Sequence, residues 1–116
     1  MTNEQKNTLI HAINHFGVEH QIDKAIEEMG ELITELARRH TMRHDRDAVA
    51  LEIADVLITV NQLRIIYGAS LVDEKVEQQL ERLEDTIDGD WRRQARMHPE
   101  VYRRMMRRSE STNANG

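Results

Sequence analysis

Lys24-Ala25-Ile26-Glu27-Glu28-Met29-Gly30-Glu31-Leu32 and Leu51-Glu52-Ile53-Ala54-Asp55-Val56-Leu57 are the two stretches whose reading decides the fold. Between residues 48 and 66 apolar side chains occupy nearly every direction at about 100° per residue. A helix apolar all round is expected to be a buried helix. Within it Glu52, Asp55, Thr59 and Gln62 share one narrow stripe, because spacings of three and four return to the same side of an α-helix. Neither carboxylate has a Lys or Arg three or four residues away. Burying an unpaired carboxylate is costly enough that a positive partner is expected opposite.

The first stretch crowds Glu27, Glu28, Glu31 and Glu35 into little more than two turns. Like charges at i,i+4 cost about a few tenths of a kcal/mol each. Its apolar stripe, Ile22, Ala25, Ile26, Met29, Ile33 and Leu36, is expected to face a core, with Glu28 and Glu31 at the edge of that face. Packed together, the two helices would converge four carboxylates. Hard oxygen ligands suit Mg²⁺ or Mn²⁺ better than zinc, so magnesium is the expected ion.

Composition agrees with helices. The chain has 116 residues, 3% aromatics, five glycines and one proline. Its dominant Glu, Arg, Leu, Ile, Ala and Met favour helix over sheet, and the length fits one core. The expectation is an all-α bundle of four main helices plus short C-terminal helical pieces. There is no cysteine, which excludes disulfides and thiolate chemistry and fits a reducing compartment. With no signal peptide or membrane span evident, a soluble cytoplasmic protein is expected.

Around the acidic pair, an opening helix over residues 3–16 carries Leu9, Ile10, Ile13 and Phe16 and stops at Gly17. His11 and His15 stand at i,i+4 on it, a spacing that can hold zinc, although ordinary surface histidines read better without a third ligand. The first acidic helix runs from Val18 or Glu19 to Arg39, and residues 40–47 connect it to the second. No Gly-rich phosphate cradle or Walker-type Lys-Ser/Thr appears. After Gly68, Ser70 and Asp73 read as a capping box opening a helix whose Leu71, Val76, Leu80, Leu83 and Ile87 form a core stripe. Gly89-Asp90 suggests a break, followed by helical pieces over 91–98 and 99–108, Pro99 at a first helical position, and a disordered end over 109–116. The net charge of -5 hides an asymmetry, because Arg92, Arg93, Arg96, Arg103, Arg104, Arg107 and Arg108 crowd that end. Such a run is ordinarily a solvated face, but it can also meet nucleic acid, an anionic substrate or an acidic partner.

Quoted together, Glu28-Met29-Gly30-Glu31-Leu32 and Glu52-Ile53-Ala54-Asp55-Val56-Leu57 resemble the paired Glu-x-x-Glu and Glu-x-x-Asp signature of the MazG-like all-α nucleoside triphosphate pyrophosphohydrolases. The resemblance covers residues 16–87, within a domain drawn as 1–89, and leaves an Arg-rich extension, 90–116, outside. It implies a helical-bundle subunit forming a dimer or tetramer that uses Mg²⁺, or Mn²⁺, to cleave nucleoside triphosphates to monophosphate and pyrophosphate. Carried over position by position, Glu28, Glu31, Glu52 and Asp55 are metal ligands and Glu27 is the carboxylate that activates water. Where relatives place a phosphate-contacting Lys this chain has Gln79, leaving Lys75 and Arg82 as the substrate-binding candidates. Neither a membrane nor nucleic acid is expected as a partner on this reading.

Two other readings compete. Paired carboxylates can be salt-bridging surface faces, in which case the protein is a non-enzymatic helical interaction module using its Arg-rich end. A di-iron bundle needs Glu-x-x-His pairs, and the chain has none.

Overall fold

The computed structural model describes the backbone of residues 1–41 and 44–115, with side chains as far as Arg108. Those residues are helical, with no strand among them: α1 spans Asn3–Phe16, α2 Val18–Ala37, α3 Arg46–Tyr67, α4 Ala69–Met97 and α5 Pro99–Asn115, with a 3-10 turn, Arg38–His40, ending α2. The chain resolves into two compact units, Met1–Val72 and Asp73–Gly116. That division falls within α4, not at the change of composition after Gly89.

The first unit is set by two glycine junctions. Gly17 has φ +94° and Gly68 φ +113°, a region that L side chains rarely adopt. At each, one residue closes one helix and opens the next. Gly17 N–H donates to the Ile13 carbonyl at 2.8 Å while its own carbonyl accepts from Gln21 at 3.1 Å. Gly68 repeats the pattern between Arg64 and Val72, at 3.0 Å each. The helices therefore begin at Val18 and Ala69 without connecting loops. Ser70 lies inside the first turn of α4 and not at its cap, the cap position being taken by Gly68. At the chain start, Thr2 and Gln5 exchange side-chain-to-backbone bonds of 3.0 Å, a capping box that nucleates α1. Asp45 caps α3 by accepting from Asp47 N–H at 2.9 Å.

Helix α2 packs mainly on α3, and α1 lies against both. The buried line of α2 is Gln21, Ala25 and Glu28, continued by half-buried Leu32 and Glu35 at alternating spacings of four and three. Its counterpart on α3 is Gln62 and Thr59, continued by half-buried Asp55 and Glu52. Gln21 meets Gln62 while Glu28 and Glu31 meet Glu52, so the pair is antiparallel.

This corrects the expectation of an apolar interface. Of the α2 stripe, Ala25 is fully buried, but Ile26 and Ile33 are 63% and 67% exposed. On α3, Leu51, Ile53, Leu57, Ile58 and Val60 are exposed as well. The physical reason lies in shape and pairing. Ala25 lets the helices approach, and part of the polar cost is met by pairing, Gln21 with Gln62 across the contact and Glu28 with Lys24 along α2. Buried apolar packing within the unit comes from Leu9, Ile13 and Ala25.

In the second unit α4 runs unbroken through Gly89 to Met97. Gly89 has no positive φ, and a helical glycine costs only about 1 kcal/mol relative to alanine, less than is needed to end a helix formed on both sides. The expected core stripe Leu71, Val76, Leu80, Leu83 and Ile87 is exposed. Helix continues from Pro99, at the first position of α5, to Asn115; the end expected to lack regular structure is thus helical, with Gly116 outside the described residues. Trp91 and Tyr102 would lie roughly 16 Å apart along a straight helix. Their rings meet edge-on with centroids 5.7 Å apart, so the chain turns back at His98-Pro99. Val101, Tyr102, Met105 and Met106 occupy one arc of α5, and Arg103, Arg104, Arg107 and Arg108 the opposite arc. The apolar arc lines clefts shared with Ile87 and Trp91.

Candidate metal centre

Glu28, Glu31 and Glu52 each direct one carboxylate oxygen into a group whose members lie within 4.8 Å of one another. The i,i+3 spacing brings Glu28 and Glu31 onto one side of α2, and the antiparallel register supplies Glu52 from α3. Glu28 is 6% exposed, Glu52 is half-buried and Glu31 is exposed at the rim. Such a cluster of three glutamates could hold a metal ion.

The oxygens show a deficit of donors. Glu28 Oε2 and Glu52 Oε2 are buried with no hydrogen-bond partner. A carboxylate oxygen left in that state is penalised by desolvation, and a hard cation is the partner such oxygens accept. Electrostatic strain is visible at the rim as well. The negative charge of Glu28, then loss of solvation and the charge of Glu52, raise the Glu31 pKa above the ordinary glutamate value.

One cation already stands among the crowded carboxylates of α2. Lys24 Nζ lies 3.0 Å from Glu28 Oε1 and 3.5 Å from Glu27 Oε1, pairs at i,i+4 and i,i+3. The hydrogen bond to Glu28, reinforced by the charge of Glu27, raises the pKa of the Lys24 ammonium. The signal was available in the sequence, because Lys24 sits one turn before Glu28.

The other expected residues are distributed as follows. Asp55 is not one of the three clustered carboxylates; it stands one turn along α3 from Glu52, toward the Gln21–Gln62 pair, and its backbone carbonyl accepts from Thr59 at 3.1 Å. Glu27 is exposed and faces Lys24. Lys75 and Arg82 are exposed on α4, in the second unit. His11 and His15 belong to no metal-ligating group among the described residues.

Beyond the carboxylates, Gln21 and Gln62 are buried and joined by a 2.6 Å bond from the Gln21 amide to Gln62 Oε1. Gln21 Oε1 in turn lies 2.8 Å from His20 Nδ1, and the His20 ring stacks on Phe16 at 5.2 Å. With its amide donating to Gln62, Gln21 accepts the proton of Nδ1. His20 was not singled out by the sequence, since no periodicity marks it.

Among the described residues no helix is long and apolar enough to cross a membrane. No protein-family model, curated protein or solved structure matches the chain.

Proposed function

We propose that the protein is a Mg²⁺-dependent nucleotide pyrophosphohydrolase, similar in its acidic motifs to the MazG-like enzymes, that cleaves nucleoside triphosphates to monophosphate and pyrophosphate. The observation that carries the reading is the convergence of Glu28, Glu31 and Glu52 with two buried, unpartnered oxygens. These three residues hold the ion on this reading, Asp55 is the fourth ligand, and Mn²⁺ substitutes for Mg²⁺. When bound, the divalent ion supplies charge neutralisation for phosphate oxygens and a lowered pKa for water.

The chain's own groups have complementary tasks. Glu28 and Glu52, held by the α2–α3 contact, would hold the ion. Glu27, exposed beside them, accepts the proton of the attacking water. Exposed apolar side chains on α2 and α3 support assembly as a homo-oligomer, since a second copy would cover them. Light scattering at micromolar concentration checks this, and a stable monomer argues against it.

Incubation with a panel of nucleoside triphosphates and Mg²⁺ tests the activity. Pyrophosphate release is expected; orthophosphate alone would point to a different phosphohydrolase. A second reading, a helical interaction module, is favoured by the separation of arginine and apolar arcs on α5. It predicts no nucleotide turnover and no thermal response to Mg²⁺.

A further inference from the structure

We infer that Lys24 is the resident counter-cation of the carboxylate cluster, displaced from Glu28 when a divalent cation binds and thereby released to contact a phosphate oxygen of the substrate. The inference rests on the proposed metal reading and adds to it a residue that neither the acidic motif nor the substrate-binding candidates include.

Three observations carry it. First, Lys24 Nζ is 3.0 Å from Oε1 of Glu28, the carboxylate whose other oxygen is buried and unpartnered. An ion drawn to that carboxylate arrives within a few ångströms of the ammonium, and like charges at that distance repel. Second, the two partners differ in freedom. The Glu28 side chain is 8% exposed and fixed at the α2–α3 contact, whereas the Lys24 side chain is 42% exposed. A lysine head on a flexible four-carbon stem can leave a site that a buried glutamate cannot. Third, the cluster is acidic throughout, so a polyphosphate approaching it needs a cation beyond the metal. Lys24 is one turn from Glu28 on the same helix, and its released ammonium remains beside the cluster.

Lys24→Met keeps most of the aliphatic stem and removes the charge. In the absence of metal, the variant is expected to melt below wild type, because Glu28 loses its partner. Calorimetric titration with Mn²⁺ should give a Kd about fivefold lower than wild type, since no ammonium competes; a ratio of that size corresponds to roughly 1 kcal/mol. An unchanged or weaker Mn²⁺ affinity would overturn the inference.

The wild-type chain provides a second measurement that does not depend on the variant folding. It has three lysines, Lys6, Lys24 and Lys75. After reductive ¹³C-methylation, the Lys24 signal should shift on adding Mg²⁺ and shift again on adding pyrophosphate. A signal unmoved by saturating Mg²⁺ sinks the displacement, and one that ignores pyrophosphate sinks the phosphate contact. Wild type that takes up no Mn²⁺ overturns the metal reading itself, whereas Mn²⁺ uptake with a stationary Lys24 overturns this inference alone.

Discussion

The side-chain amide of Gln21 donates to Oε1 of Gln62 at 2.6 Å, across the contact between α2 and α3 and with both residues buried. A hydrogen bond so placed contributes modestly, but breaking one side of it strands a desolvated polar group. Gln62→Leu should therefore destabilise the protein by about 1–3 kcal/mol. The double variant Gln21→Leu/Gln62→Leu should lose less than the two single changes added together. Denaturant unfolding of the four proteins in a double-mutant cycle checks this, and strict additivity would mean that the amides are energetically independent.

Glu31 provides a pH test. Because its folded-state pKa is raised, chiefly by the charge of Glu28, the folded chain binds that proton more tightly than the unfolded chain does. The favourable contribution is complete below the ordinary glutamate pKa and is lost as pH rises through the raised folded value. At neutral pH, with chelator present, Glu31→Gln should consequently melt above wild type. The gap should close as pH falls below the glutamate range, and it should narrow with added salt. Melting temperatures collected across that range decide it; a variant that melts below wild type at pH 7 would show that Glu31 has a favourable partner.

Metal addition tests the cluster as a unit. If Mg²⁺ binds the folded chain alone, a concentration of 100 times Kd should add about 2.7 kcal/mol to unfolding. Glu52→Gln should abolish the response, because it removes the ligand that α3 contributes. Asp55→Asn should weaken binding without eliminating it, as expected for a fourth ligand that stands one turn from the three clustered carboxylates. Thermal melts with and without Mg²⁺ read all three proteins, and an undiminished response in Glu52→Gln would remove the metal from this position.

Gly89 offers a simpler check on α4. A Cβ built there meets nothing within 4 Å, and its φ is not positive. Gly89→Ala should stabilise the helix by about 0.4–1 kcal/mol, through the conformational freedom the unfolded chain loses. Hydrogen exchange of residues 85–95 would report it locally. A loss of stability would imply that the helix is interrupted there in solution.

Helix positions were legible in the sequence wherever backbone chemistry was explicit. Gly17 and Gly68 each mark a boundary, as does Pro99, because positive φ and a missing N–H act locally. Gly89 misled because a glycine ends a helix only when the surrounding chain has reason to turn. What could not be read was which side of α2 faces α3. Periodicity identifies stripes, and the usual preference sends the apolar one inward. Here Ala25 permits close approach, while Gln21–Gln62 and Lys24–Glu28 satisfy much of the polar cost, so the polar stripe lies inside. Three of the four expected carboxylate ligands do gather, since i,i+3 spacing on one helix and register between two are sequence properties. The pairing of Lys24 follows from the same spacing rule, whereas the burial of the Glu28 carboxylate it meets does not.

The single-glycine junction at residue 17 makes α1 and α2 behave as meshed gears. With no slack between Phe16 and Val18, the rotational phase of one helix is transmitted to the next. One residue inserted at this junction would change both the direction and the rotational phase of α1 relative to α2. Leu9 and Ile13 would then swing away from the face they cover, although no side chain had been altered. The length of that junction is therefore as much a part of the fold's specification as the identity of any residue in its core.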